Sequence, residues 1–454
     1  MRALALRLLR ALVRLFYRRI ETAGLDGVPR EGAVLLIANH NNGLVDPMLV
    51  LAVLPRPVVF VAKSTLWKIP LLGSLLDLFG CIPVVRRHEA EAEGVPGAPD
   101  RNEPAFRRLA AVLDAGGAVL IFPEGKSHSE PHLEELRTGA ARVLLLAKAT
   151  PPVVPLGFWF TRKEEFRSEV LLSFGPAVEP PAAPDVGSWT EAMGTALEGV
   201  TLNADHWREH EVTAAVEALY GRSVEKRFLD DEEKLGRVER SFRVRQLLQR
   251  ARRDLEKTHP GEVRSVVRRA LALDHLLGRV SLSCSSLDDP PPARTILWYT
   301  LKALVVVVLG FPVALLGVVA WWIPYRLTAV VAARLPGAEE RDQVALNKLL
   351  AGALLHPLAW AAEVTVLFAL GGPAWAAGGA LILPAAGLLA LPYLEHAAWR
   401  ERQARDLLAL LVKPGGLARL RAERDALVAE CDRLAALYAA PGGDDPGRGI
   451  LRGP

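Results

Sequence analysis

Ala33-Val34-Leu35-Leu36-Ile37-Ala38-Asn39-His40-Asn41-Asn42-Gly43-Leu44-Val45-Asp46 passes from a wholly apolar hexamer into a polar loop and on toward Pro47. Six apolar residues without polar alternation predict a β-strand covered on both faces. His40 follows that strand directly, in a loop at its carboxyl end, where open α/β sheets bind ligands. Histidine titrates near neutrality, so it can take a proton from a hydroxyl and return it to a leaving group. Such a base works best when a carboxylate orients its other ring nitrogen, and Asp46 is the nearest candidate. Asp46 also reads as the N-cap of a helix over Pro47–Leu54, with proline in the first turn. The two roles are compatible, because a cap one turn from a strand end faces the same loop.

Outward from this stretch, comparable apolar runs occur at Val58–Ala62, Ala118–Phe122 and Val153–Gly157, separated by helical patterns such as Glu103–Ala115. Apolar strands alternating with helices predict an α/β domain, a mainly covered sheet with flanking helices, over residues 21–185. The proline- and alanine-rich stretch Pro176–Pro184 marks its end. Before it, residues 1–20 form an amphipathic helix with Arg7, Arg10, Arg14 and Arg18 on one face and Leu8, Leu9, Leu12 and Phe16 on the other. It is too short and too charged to span a bilayer. It reads as a helix lying in a membrane interface, or as one packed on the domain.

Residues 186–297 are charged and helical, without a chemical motif. Residues 298–396 read as a transmembrane region of two or three spans. Ala303–Ile323 is uncharged and long enough to cross, and Leu349–Leu394 is apolar but broken by Glu363 and Gly371-Gly372-Pro373. Residues 397–454 form an amphipathic helical tail. In it Leu420, Leu427 and Leu434 stand seven apart, as in a short coiled-coil seam or a helix lying on its own protein. Lys302, Arg326, Lys348, Arg400 and Arg402 flank the apolar blocks on several sides, so loop charge does not orient them.

Composition narrows the function classes. The 454 residues carry 55 basic and 51 acidic side chains, a net charge of +4, which does not point to nucleic acid. Hydrophobic residues make up 51%, concentrated in the C-terminal blocks. Cys81, Cys284 and Cys431 are far apart, which argues against a disulfide framework and a zinc site, and reads as buried small hydrophobes in a reducing compartment. No HExxH occurs, so neither a metal nor a cofactor is expected. Gly125-Lys126-Ser127 is not a P-loop end, because position 120 is leucine where that loop needs glycine.

Three further segments stand beside the His40–Asp46 loop. Gly80-Cys81-Ile82-Pro83-Val84-Val85-Arg86 is a glycine-led strand ending in arginine. Phe122-Pro123-Glu124-Gly125-Lys126-Ser127-His128 follows an apolar strand, and Val154-Pro155-Leu156-Gly157 is a strand broken by proline. In this order and spacing the four resemble the motif blocks of the glycerol-phosphate and lysophosphatidate acyltransferase family, over about residues 20–180.

That resemblance implies roles. His40 would be the general base for the acceptor hydroxyl, supported by Asp46, and the activated oxygen would attack the thioester of acyl-CoA or acyl-carrier protein. Arg86 would bind the acceptor phosphate in preference to Arg87, its neighbour on the opposite strand face. Asn39, Asn41, Glu124 and Gly125 would shape the acceptor pocket, Glu124 through glycerol hydroxyls and Gly125 through close backbone approach. Lys126 and Ser127 would be secondary phosphate contacts, and Pro155 would line the acyl or donor side. Five residues separate His40 from Asp46 where the commoner bacterial pattern has four. This spacing, the Phe-Pro-Glu-Gly-X-Ser-His block and the long C-terminal extension are similar to the fungal glycerol-3-phosphate and dihydroxyacetone-phosphate branch. The expected acceptor is therefore glycerol 3-phosphate or dihydroxyacetone phosphate, with 1-acylglycerol 3-phosphate as the alternative. The expected place is a bacterial cytoplasmic membrane, among its lipids, with the site on the cytosolic side. Two rival classes are a transacylase with a phospholipid donor and a non-catalytic membrane scaffold that keeps the fold.

Overall fold

The computed structural model describes residues 1–68, 72–85, 102–229, 235–279, 282–287, 293–337, 339–412 and 414–439. Arg86 and Arg87, the expected phosphate ligand and its rival, lie outside the described residues. The chain divides into two compact units. The first holds residues 1–207, 236–239 and 332–350, and the second holds the remainder.

In the first unit the order is α1 (Arg2–Phe16), β1 (Arg19–Ala23), β2 (Val34–Ala38), α2 (Val45–Val53), β3 (Val58–Lys63), α3 (Leu72–Phe79) and β4 (Ile82–Val84). Then follow α4 (Glu103–Asp114), β5 (Ala118–Ile121), α5 (Gly139–Leu146), β6 (Val153–Phe160), β7 (Glu169–Phe174) and α6 (Val186–Val200). The seven strands form one sheet in the order β1-β7-β6-β2-β5-β3-β4. From β6 to β4 every neighbouring pair is parallel, while β7 returns antiparallel to β6 and carries β1 parallel to itself. Each apolar run of the sequence is one of the parallel strands.

All five residues of β2 are buried, because the pleat sends alternate side chains to two covered faces. Leu36 and Ala38 pack with α1, α2 and α3, while Leu35 and Ile37 pack with α4, α5 and α6. The parallel strands β2, β5 and β6 pair in register through Ile37↔Ile121 and Ile37↔Pro155, so their carboxyl ends and the loops that follow come to one edge.

Several details differ from the sequence reading. The domain runs past residue 185, since Trp189, Met193 and Leu197 of α6 fill one face of the sheet. Gly157 permits this packing, because a side chain there would collide with the Val200 carbonyl. In α1, Leu9, Leu12 and Phe16 pack on the core, the second of the two readings, but Leu8 points outward with Leu4, both more than 60% exposed. The outward face of α1 thus carries leucines as well as the exposed Arg7 and Arg14.

The second unit contains most of α7 (Trp207–Phe228) and α8 (Arg237–Thr258), with α9 (Pro260–Arg279), most of α10 (Ala293–Ala332) and α11 (Val344–Val412), and α12 (Pro414–Ala439). Leu427 and Leu434 of α12 are buried against helices of the same unit, so the seven-residue seam lies on its own protein. All three cysteines are buried, and burial pushes the Cys81 and Cys431 thiols up to about 12, away from nucleophilic use. Val308–Ala332 and Val344–His396 are helical, long and apolar enough to cross a membrane. The first extends past Arg326 where the sequence suggested an end at Ile323, and the second breaks its helical path at Gly372.

Candidate active site

The loop after β2 turns on Gly43, whose φ of 46° lies in the left-handed region. It delivers Asp46 into the first turn of α2, where Leu44 rather than Asp46 holds the cap position. The carboxylate therefore serves the loop and not the helix. Its Oδ2 accepts from the Asn41 N–H at 2.9 Å, the Asn42 N–H at 2.8 Å and His40 Nδ1 at 3.0 Å. Asp46 is fully buried and its Oδ1 has no hydrogen-bond partner among the described residues. A carboxylate only accepts, so His40 carries its proton on Nδ1 and keeps the Nε2 lone pair for another group. The ring lies on Phe122, with centroids 4.0 Å apart and planes 18° from parallel, and its side chain is 14% exposed.

A second loop, after β5, is bound to the first. Glu124 Oε1 accepts from the His40 backbone N–H at 2.8 Å, and the His128 N–H donates to the His40 carbonyl at 3.0 Å. Glu124 Oε2 takes the Glu134 N–H at 2.8 Å and the Nε2–H of His128. The Glu130 N–H donates to His128 Nδ1 at 3.1 Å, which fixes that tautomer. Burial depresses the proton affinity of His128, but contact with Glu124 and the charge of Glu134 outweigh it, and the net shift is upward. Glu124 is 2% exposed and both its oxygens are occupied. It acts here as a strut between the two loops, with its Oε1 on the His40 N–H and its Oε2 shared by Glu134 and His128.

The other expected site residues fall into two groups. Asn39 is buried, and its amide pairs with both backbone groups of Phe158, filling the gap where β2 and β6 part. Pro155 is buried in β6 with its ring near Gly175 and pairs across the sheet with Ile37, close to the end of β2. Gly125 and Lys126 are exposed beside the dyad loop, Lys126 paired with Glu134 at 2.9 Å, and Ser127 is half-buried. The Arg137 side chain passes close to Gly125. Asn41 is half-buried and lends the loop its backbone.

Sequence reasoning missed three contributors. Tyr17, buried at the end of α1, accepts from Asn42 Nδ2 at 3.0 Å, and burial together with Asp46 raises its pKa well above the usual phenol value. Phe122 was visible in the motif, but only the fold stacks it on His40. Lys163, in the loop after β6, donates to the Asn41 carbonyl and to Ser129 Oγ, both at 2.8 Å. Burial lowers its pKa, against the pull of Asp46, Asp342 and Glu164.

A histidine–carboxylate pair on the carboxyl edge of a parallel sheet, with one ring nitrogen left to accept, is built for base chemistry on a hydroxyl. Residues 19–159 match the Acyltransferase family model. That span begins with β1 and ends in β6, so the matched region contains the His40–Asp46 loop and the loop after β5. Among curated proteins, the chain is 25% identical to a chloroplastic 1-acyl-sn-glycerol-3-phosphate acyltransferase of Arabidopsis thaliana, covering 33% of this chain and 38% of that one. It is 35% identical to a glycerol-3-phosphate O-acyltransferase of Saccharomyces cerevisiae over 82 residues, 17% of this chain and 11% of that one. The chain thus spans well under half the length of these relatives. Among solved structures, a 1-acyl-sn-glycerophosphate acyltransferase from Thermotoga maritima aligns at 18% identity, covering 44% of this chain and 80% of that one with a TM-score of 0.34.

Proposed function

We propose that the protein is a membrane-bound glycerolipid acyltransferase that moves a fatty acyl chain from acyl-CoA or acyl-carrier protein to a glycerol phosphate hydroxyl. The observation that carries this reading is the His40–Asp46 pair, standing inside the acyltransferase match on the loop edge of the sheet. His40 Nε2 takes the acceptor's hydroxyl proton as that oxygen bonds to the thioester carbonyl carbon. Asp46 steadies the imidazolium at Nδ1. Collapse of the tetrahedral adduct breaks the C–S bond, and the departing thiolate receives the proton from His40. No acyl group is carried by the enzyme. Arg86 is the proposed clamp for the acceptor phosphate.

The preferred acceptor is glycerol 3-phosphate or dihydroxyacetone phosphate. The five-residue spacing within the dyad and the similarity to the yeast glycerol-3-phosphate enzyme support it. The similarity to the Arabidopsis enzyme supports a second reading, 1-acylglycerol 3-phosphate. A panel of acceptors and donors on purified membranes separates them. Acylation of glycerol 3-phosphate or dihydroxyacetone phosphate is expected, and activity with the lysolipid alone overturns the first choice. His40→Ala is expected to cost about 10²–10⁴-fold in rate while folding and membrane attachment persist. Undiminished function in that variant would point to the scaffold. Dependence on a soluble thioester separates this enzyme from a phospholipid transacylase. Because thioester donors are cytosolic, the site is assigned to the cytosolic face.

A further inference from the structure

Residues 339–350 lead into the second apolar segment and supply its first seven residues, yet they belong to the unit that holds the dyad. Ala345 is fully buried and Leu349 is 2% exposed, both in the core shared with β2 and α2. Asp342 and Asn347 are buried as well. This segment reaches the catalytic loops at two places. At Gly43, an added Cβ would come within 3.1 Å of the Asp342 carbonyl and of the Gln343 side-chain amide, so the dyad loop lies directly against the segment. At the loop after β6, Lys348 Nζ donates to the Glu164 carbonyl at 2.6 Å and Arg341 pairs with Glu164 at 3.7 Å. The residue beside Glu164 is Lys163, whose ammonium holds the Asn41 carbonyl on one catalytic loop and Ser129 on the other.

We propose that residues 339–350 are a strap that holds the two catalytic loops in working register, and that Lys163 is the positioning residue through which it acts. The ammonium stands next to both loops without contacting His40. Removing it leaves the dyad's own hydrogen bonds intact but frees the Asn41 carbonyl and Ser129. Lys348 acts one step further out, by fixing the loop that carries Lys163. The second apolar segment therefore begins inside the unit that holds the dyad. The kinetic part of the proposal rests on His40 being the base, as proposed above.

The test compares full-length wild type with Lys163→Met, Lys348→Met and the double variant, all in detergent micelles. Lys163→Met is expected to lower kcat by about 10- to 100-fold, with acceptor KM within about twofold, as a sub-ångström displacement of a base does. Lys348→Met is expected to give a smaller loss. The double variant should match Lys163→Met alone, because both act through one ammonium. In Lys163→Ala, added ethylamine should restore part of kcat, which a general loss of folding would not allow. Unchanged kcat in Lys163→Met, or losses that multiply in the double variant, overturn the proposal. Hydrogen exchange supplies a readout without acyl transfer. Amides of residues 39–46 and 339–350 should exchange faster together in Lys163→Met, and unchanged protection of both segments sinks the strap. If wild type transfers no acyl group at all, the functional reading falls, while exchange still decides the strap.

Discussion

Asp46 gathers three N–H groups on one oxygen while sitting in complete burial, and this arrangement decides what a substitution there does. A buried carboxylate with charge-assisted hydrogen bonds holds the dyad loop and stabilises a proton on His40 at once. In Asp46→Asn the amide oxygen can still accept from Asn41 and Asn42, so the loop keeps its path. The negative charge facing the imidazolium is gone. The expected outcome is a fall in kcat of about 10²–10⁴-fold with little change in acceptor KM, measured by steady-state kinetics. A raised KM with kcat intact would move Asp46 from proton transfer to substrate binding. His40 and Asp46 were legible in the sequence because a strand end, a histidine and a carboxylate stood within one loop. The role of Glu124 was not. Its family-like motif suggested contact with substrate, whereas its oxygens go to His40, His128 and Glu134, partners that only the folding of two loops brings together. Lys163 carried no signal at all, since its partners Asn41 and Ser129 are remote in sequence.

Among the elements, β7 joins the edge strand β1 to the rest of the sheet, and its first residue shows how. Glu169 is buried and pairs with Arg18, which precedes β1, at 2.7 Å and with Arg237 at the start of α8. One carboxylate thus ties the entry of β1, the start of β7 and residues 236–239 together within the first unit. Burial works against its charge, but the two guanidinium contacts win, and its pKa is held below the usual carboxylate range. A group whose folded pKa is depressed adds stability above its unfolded pKa and loses it as pH falls through the folded value. Glu169→Gln is therefore expected to unfold more easily at neutral pH, by about 1–2 kcal/mol given how exposed the arginines are. The gap to wild type should close as the pH drops below about 4, in denaturant titrations at matched salt. An equal gap at pH 3 and pH 7 would show that packing, not charge, makes the difference. The strands flanking β2 were readable as apolar runs, but β7 was not. Glu-Val-Leu-Leu-Ser-Phe is short, begins with a charge and follows a polar loop, and it gains its place only by pairing with β6. In the same way α6 reads in sequence as part of the charged helical region that follows Pro176–Pro184. Its buried face, Trp189, Met193 and Leu197, appears once the sheet is there to receive it.

At the scale of the whole molecule, the apolar helices set the solvent. Leu309, Leu370 and Leu381 are each more than 70% exposed, and they stand in segments of 25 and 53 residues with a mean hydropathy of 1.8. Soluble proteins rarely expose contiguous apolar surface on that scale, and a bilayer core needs about 20 apolar residues per crossing. The proposed membrane-bound enzyme would cover such helices with lipid. The outward face of α1 is different in kind. Leu4 and Leu8 with Arg7 and Arg14 make a surface helix suited to the interface, where each basic group near anionic lipid adds about 1 kcal/mol that salt screens. The two modes separate experimentally on isolated membranes. Wild type is expected to stay in the membrane pellet through high salt and alkaline carbonate and to leave only with detergent, because the C-terminal helices are held by apolar burial. Replacing Arg7 and Arg14 with glutamine should leave that partition unchanged, since the helices dominate it, but should weaken the binding of an isolated α1 peptide to anionic vesicles at low salt. Release of the full chain by salt or carbonate would contradict a membrane-spanning region and leave the helices to a protein partner. The strap gives this result a catalytic consequence. If residues 339–350 hold the dyad loop, detergents that loosen the apolar helix those residues open should lower kcat before they unfold the sheet. Activity and melting temperature measured across a detergent series would then separate.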